Sequence, residues 1–116
     1  MMLVEKTVVF YAAHSVTAFG LVHKCARLHG HTYTLTVWVE TSICKPVEFS
    51  TIEREVRCIV DAFDHSNLND HAITIGGEPT VERLVWYIGN KLKQQIPVKR
   101  VRLQETQSSA VVMEIS

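Results

Sequence analysis

The chain reads as an α+β fold, a ββααββ antiparallel sheet with two helices on one side. Three observations carry this reading. Period-two apolar runs open and close the sequence, and two runs of helical spacing stand between them. The composition, 47% hydrophobic and 21% charged over 116 residues, suits one globular domain with a real core. No repeat, low-complexity segment or long linker divides it, so residues 1–116 are expected to form a single domain.

The first strand is predicted over about 4–14, where Val4, Val8, Phe10 and Ala12 share one face and His14 ends it. The second, over about 31–40, places Tyr33, Leu35, Val37 and Val39 on one face, with His31 and His29 continuing the parity. Ser50 with Glu53 has the capping-box pattern, and Ile52, Val56, Ile59, Val60 and Phe63 then recur at helical spacing, which predicts a helix over about 51–62. FDHSNLND breaks that pattern and reads as a loop. Thr80 is an N-cap candidate for a second helix striped by Val81, Leu84, Val85, Ile88 and Leu92, which must end before Pro97. VKRVRLQET and SAVVMEI are the closing strands, joined by a turn near Gln107 and Ser108. Within them Val101 and Leu103 share parity with Glu105, which sets a carboxylate at the end of a buried face.

Twelve basic and twelve acidic residues leave no net charge, so no basic field directs the chain to nucleic acid or to an anionic membrane. No run approaches the roughly 20 apolar residues of a membrane span, and MMLVEKTVVFYAAH lacks a cationic leader, so a soluble cytoplasmic protein is expected. Three widely spaced cysteines, Cys25, Cys44 and Cys58, fit a reducing compartment and no disulfide framework.

The chemistry concentrates in CARLHGH, residues 25–31. Side chains two apart on a strand project to one side, so His29 and His31 can converge on one ion, with only Gly30 between them. His14 on a neighbouring strand supplies a third nitrogen, the number a catalytic zinc site takes while keeping one position open. The tripeptide alone is more often a turn with two solvated imidazoles; three histidines at the ends of apolar faces together point to metal. A free cysteine is usually a small buried hydrophobe. The polar, basic HKCAR setting of Cys25 instead predicts an exposed thiol whose thiolate is favoured by neighbouring cations. Cys44 and Cys58 have no such setting.

FYAAH, CARLHGHTY, VEF, FDHSNLN, PTVE and QET occur in the order and approximate spacing of the 6-pyruvoyl-tetrahydropterin synthase family, which the chain resembles from about residue 10 to 106. Three residues between the cysteine and HGH resemble the 6-carboxytetrahydropterin synthase branch; the pyruvoyl-forming branch typically has a longer gap. The resemblance implies a T-fold whose subunits close a barrel as trimers, commonly stacked as hexamers, with active sites near subunit interfaces. It also implies zinc on His14, His29 and His31, Cys25 as catalytic thiol, Asp64 and His65 as acid/base partners, and Glu105 as pterin anchor at the opposite end of the ligand. The implied substrate is the small molecule 7,8-dihydroneopterin triphosphate, with zinc acidifying its side-chain hydroxyls. The carboxy branch gives 6-carboxy-5,6,7,8-tetrahydropterin, acetaldehyde and triphosphate, with no redox cofactor. A product that feeds deazaguanine-type nucleosides such as queuosine is implied with it.

Glu48 replaces the family's usual aspartate, Arg83 its common asparagine, and Tyr11 a frequently small residue. His23, Lys24 and Arg27 are candidates for the triphosphate, and equally a solvated basic trio. Other readings stay open at this point: the pyruvoyl-forming reaction, a closed Cys-His₃ structural zinc site, or a T-fold module that binds pterin without turnover.

Overall fold

The computed structural model describes residues 1–116. Strands β1 (Met2–His14) and β2 (His29–Thr41) form a long antiparallel hairpin in continuous register from Met2 opposite Thr41 to His14 opposite His29. Helix α1 (Phe49–Val60) follows, then β3 (Ser66–Asn67), a short helix α2 (Ala72–Ile75), α3 (Val81–Leu92), β4 (Val98–Thr106) and β5 (Ser109–Glu114). The sheet order is β3-β1-β2-β4-β5.

One sheet face is covered. Phe10, Leu35, Val37, Val101 and Leu103 point into it, against Ile52, Val56 and Val60 of α1 and Leu84, Val85, Ile88 and Leu92 of α3, all nearly solvent-free. Each such side chain contributes about 1.5–3 kcal/mol through burial, which makes this layer the main source of cohesion. Gly89 of α3 lets β4 and β5 approach closely: a Cβ there would lie 3.1 Å from Ile115 Cδ1. The opposite face carries Thr34, Trp38, Arg100 and Arg102 from paired positions of β2 and β4 and has no helix over it.

The sequence expectations hold for both long strands, for the Thr80 cap, whose Oγ accepts the Arg83 N–H at 3.1 Å, and for the turn at Gln107 and Ser108. Three details differ. The N-cap of α1 is Glu48, not Ser50; the Ser50 hydroxyl donates to the Glu48 carboxylate, because the chain already turns helical at Phe49. FDHSNLND is more than a loop, since Ser66 and Asn67 pair parallel with Ala12 and Ala13 and give the sheet a fifth strand. Finally, the β4–β5 register shifts between Gln104 and Thr106, so Glu105 sits in a bulge.

Candidate active site

The far end of the β1–β2 hairpin brings His14, His29 and His31 together, because in antiparallel register His14 faces His29 and His31 stands two residues along. Their ligand-type nitrogens lie within 4.8 Å of one another. His14 is 2% exposed, and its Nδ1–H donates to the Pro79 carbonyl at 2.8 Å. His29 Nδ1–H donates to the Arg27 carbonyl at 2.7 Å. A carbonyl can only accept, so both rings carry a proton on Nδ1, which leaves Nε2 as the nitrogen available to a metal. His31 Nε2 is buried with no hydrogen-bond partner. Burial pushes the His14 and His31 imidazoles below their ordinary range, toward the neutral form, with the nearby Glu105 carboxylate opposing the shift. Three imidazole nitrogens, two on rings oriented by backbone carbonyls and one otherwise orphaned, fit a zinc ion.

Cys25 lines the same cleft as His14, His29 and Glu105, beside the start of α3 at Thr80 and Val81. It is half-buried, not the exposed thiol expected from HKCAR. A one-turn 3₁₀ segment (Lys24–Ala26) accounts for this: His23 Nδ1 accepts the Cys25 N–H at 3.1 Å, and the Val16 N–H donates to the Cys25 carbonyl at 2.7 Å. Those two bonds fold the loop back over the histidines. His23 is thereby used as a cap, and His23, Lys24 and Arg27 all stand outside the cleft. Cys44 and Cys58 are exposed elsewhere.

The bulge turns Glu105 toward the histidines, its carboxylate oxygens 3.5 Å from His14 Nε2 and 3.7 Å from His31 Nε2. The carboxylate therefore lies beside the triad in this chain, nearer than an anchor at the far end of a ligand.

Asp64 and His65 form a pair of their own. The Asp64 carboxylate accepts the Tyr11 N–H at 2.9 Å and meets His65 Nδ1 at 3.0 Å. The Tyr11 bond, reinforced by His65, holds its carboxyl below the usual carboxylate range. His65 has φ 59°, an uncommon conformation for a residue with a side chain, and its N–H donates to the Tyr11 carbonyl. Its imidazole is 76% exposed, tilted against the Tyr11 ring at 5.6 Å between centroids. His65 borders a second recess, with Gly30 and His31, and neither member of the pair lines the cleft that holds Cys25. One chain thus joins the thiol, two histidines and Glu105, and leaves Asp64 and His65 apart from them.

The sequence reading missed residues that build this end of the fold. The Asn69 side chain accepts the Ser15 N–H at 2.8 Å and donates to the Ser15 carbonyl at 2.9 Å. Glu78 accepts both the backbone N–H and the hydroxyl of Thr17, and those bonds hold its carboxyl below the usual range. Asn69 sits in FDHSNLND and Glu78 before PTVE, where polar residues read as ordinary turn formers.

Residues 3–115 match the 6-pyruvoyl tetrahydropterin synthase family. The chain is 32% identical over 111 residues to the dihydroneopterin monophosphate aldolase of Pyrococcus furiosus, covering 90% of each chain. It is 28% identical to the 6-carboxy-5,6,7,8-tetrahydropterin synthase of Haemophilus influenzae, over 74% of this chain and 81% of that protein. Its fold superposes on the structure of the Caenorhabditis elegans 6-pyruvoyl tetrahydropterin synthase with a TM-score of 0.84 at 22% identity, over 99% of this chain and 96% of that one.

Proposed function

The chain belongs to the 6-pyruvoyl tetrahydropterin synthase family and has its T-fold, and from that premise we propose that it is a zinc-dependent lyase converting 7,8-dihydroneopterin triphosphate and water to 6-carboxy-5,6,7,8-tetrahydropterin, acetaldehyde and triphosphate. The observation that carries the reading is the convergence of three histidine nitrogens, two of them on residues that line one cleft with a half-buried thiol. The three-residue gap between Cys25 and HGH favours the carboxy branch.

His14, His29 and His31 would hold the ion, and zinc, when bound, supplies a Lewis acid for the hydroxylated side chain of the substrate. Cys25, half-buried in the cleft, is assigned the proton transfer at that side chain. Glu105 is assigned the amino-pyrimidine edge of the pterin, whose adjacent N–H groups its two oxygens can accept in parallel. His65, oriented by Asp64, is assigned proton delivery as the triphosphate leaves.

The dyad has to reach the thiol from elsewhere. The Cys25 cleft measures about 180 Å³, below the roughly 300–1,000 Å³ of a small-molecule site. Both observations favour a pocket completed by a neighbouring subunit that presents its own Asp64 and His65. The outer edges of β5 and of most of β1 are unpaired within the chain, which supports a ring closed by edge pairing into a trimer or a hexamer of two trimers.

The likeness to the Pyrococcus aldolase favours a second reading on the same groups, cleavage between the first two side-chain carbons of a dihydroneopterin phosphate to leave a 6-hydroxymethyl pterin. Incubating zinc-loaded protein with dihydroneopterin triphosphate and, separately, with the monophosphate, followed by mass analysis of the pterin, separates these. The proposal expects the carboxy product from the triphosphate. A pyruvoyl product, a hydroxymethyl product or no product would each replace it.

A further inference from the structure

We infer that Glu78 is a positioning residue that ties the Cys25 loop to the histidine end of the sheet. The inference rests on the proposed role of Cys25 and extends it to a residue outside the cleft. Glu78 and Pro79 are consecutive and act on two sides of the site. The Pro79 carbonyl holds the His14 ring through Nδ1 at 2.8 Å. The Glu78 carboxylate takes two bonds from Thr17, one from the backbone N–H and one from the hydroxyl at 2.8 Å. Thr80, next in line, caps α3. One tripeptide therefore fixes a metal-type histidine, Thr17 near the start of the thiol loop and the helix that walls the cleft.

Thr17 matters because of what it adjoins. Residues 15–17 leave β1 directly after His14, and each is tied down separately: Ser15 by the Asn69 amide, Val16 by the Cys25 carbonyl at 2.7 Å, Thr17 by Glu78. Beyond Thr17 the loop is exposed, with Phe19, Leu21 and Val22 in solvent. Nothing later in it holds Cys25 except the His23 cap and the Val16 bond. A change at Thr17 acts one residue from the donor that carries Cys25, whereas a change farther along the loop does not. Two bonds converging on one carboxylate oxygen make Glu78 the anchor of that donor segment, and a charged acceptor makes them strong.

The test reads the thiol itself as well as turnover. Glu78→Ala, Glu78→Gln and Thr17→Val are prepared in the zinc-loaded protein, and alkylation of Cys25 by iodoacetamide is followed by peptide mass mapping, with exposed Cys58 as internal control. Glu78→Ala is expected to raise the Cys25 rate severalfold relative to Cys58. It should also lower kcat by about 10- to 100-fold, as a misplaced catalytic group does, with KM little changed. Glu78→Gln keeps an acceptor oxygen and should recover most of both properties. Thr17→Val should give part of the effect, and the double variant with Glu78→Ala no more than Glu78→Ala alone, because both act through the same bonds. Should Glu78→Ala fail to fold, the Gln and Val variants carry the same comparison. An unchanged Cys25 to Cys58 ratio across the set overturns the inference. A changed ratio in a protein that forms no pterin product keeps the positioning and overturns only the proposed reaction.

Discussion

Cys25, Glu105 and His65 are assigned three tasks, and alanine at each position separates them. Cys25→Ala should lose about 10²–10⁴-fold in turnover, the worth of a positioned proton transfer, while keeping zinc and pterin affinity. His65→Ala should follow it. Glu105→Ala should instead weaken pterin binding, by about 1.5–3 kcal/mol for each charged hydrogen bond lost, and slow turnover through misplacement. Pterin titration beside single-turnover rates distinguishes the patterns. Near wild-type turnover in Cys25→Ala would make the thiol structural and His65 the principal base. The histidines also make a pH prediction. Burial lowers the folded-state pKa of His14 and His31 below the ordinary 6.5, so the unfolded chain binds protons first as pH falls. The metal-free protein should then be fully stable above about 6.5 and lose stability progressively below it. Urea midpoints between pH 7.5 and 5.5 check this; a midpoint that rises on acidification would contradict it.

At the scale of elements, α3 links stability to the site, since Thr80 caps the helix and also lines the cleft. Thr80→Ala removes the acceptor for the Arg83 N–H and should cost about 1 kcal/mol. Thermal unfolding of the variant measures that; no shift in midpoint would mean that water replaces the cap. The elements themselves were largely legible in the sequence because burial follows parity. Phe10, Ala12 and His14 alternate, as do Tyr33 and Leu35, and that alternation also set the three histidines at strand ends. Less legible were features that depend on contacts distant in sequence. Ser66 and Asn67 form a strand only because β1 offers an edge 54 residues earlier in the chain, between Ala12 and Ser66. The bulge at Glu105 brings its carboxylate against the triad, which parity alone does not specify. Ser50 has the right type for a cap, yet the helix begins two residues earlier and Glu48 takes the position.

As a whole, the molecule is extended, 54 × 23 × 23 Å, with a radius of gyration of 14.8 Å, above the about 13.4 Å expected of a compact domain of this length. Two 13-residue strands and an uncovered sheet face account for the length. No helix is long and apolar enough to cross a membrane. If neighbouring subunits complete each pocket, Cys25→Ala and His65→Ala proteins should each be inactive alone and regain activity when unfolded and refolded together. Random pairing across a head-to-tail interface restores at most about a quarter of the sites. Mixed oligomers without activity would place thiol and dyad on one chain. The most direct test of the central claim, that the histidine triad and Cys25 form a zinc-dependent pterin site, is a single-turnover mass analysis of protein stripped of metal and then reloaded with zinc. The account predicts no 6-carboxy-5,6,7,8-tetrahydropterin from the stripped protein, and product equal to released triphosphate after reloading. Equal product without zinc, or none with one zinc bound per chain, would contradict it.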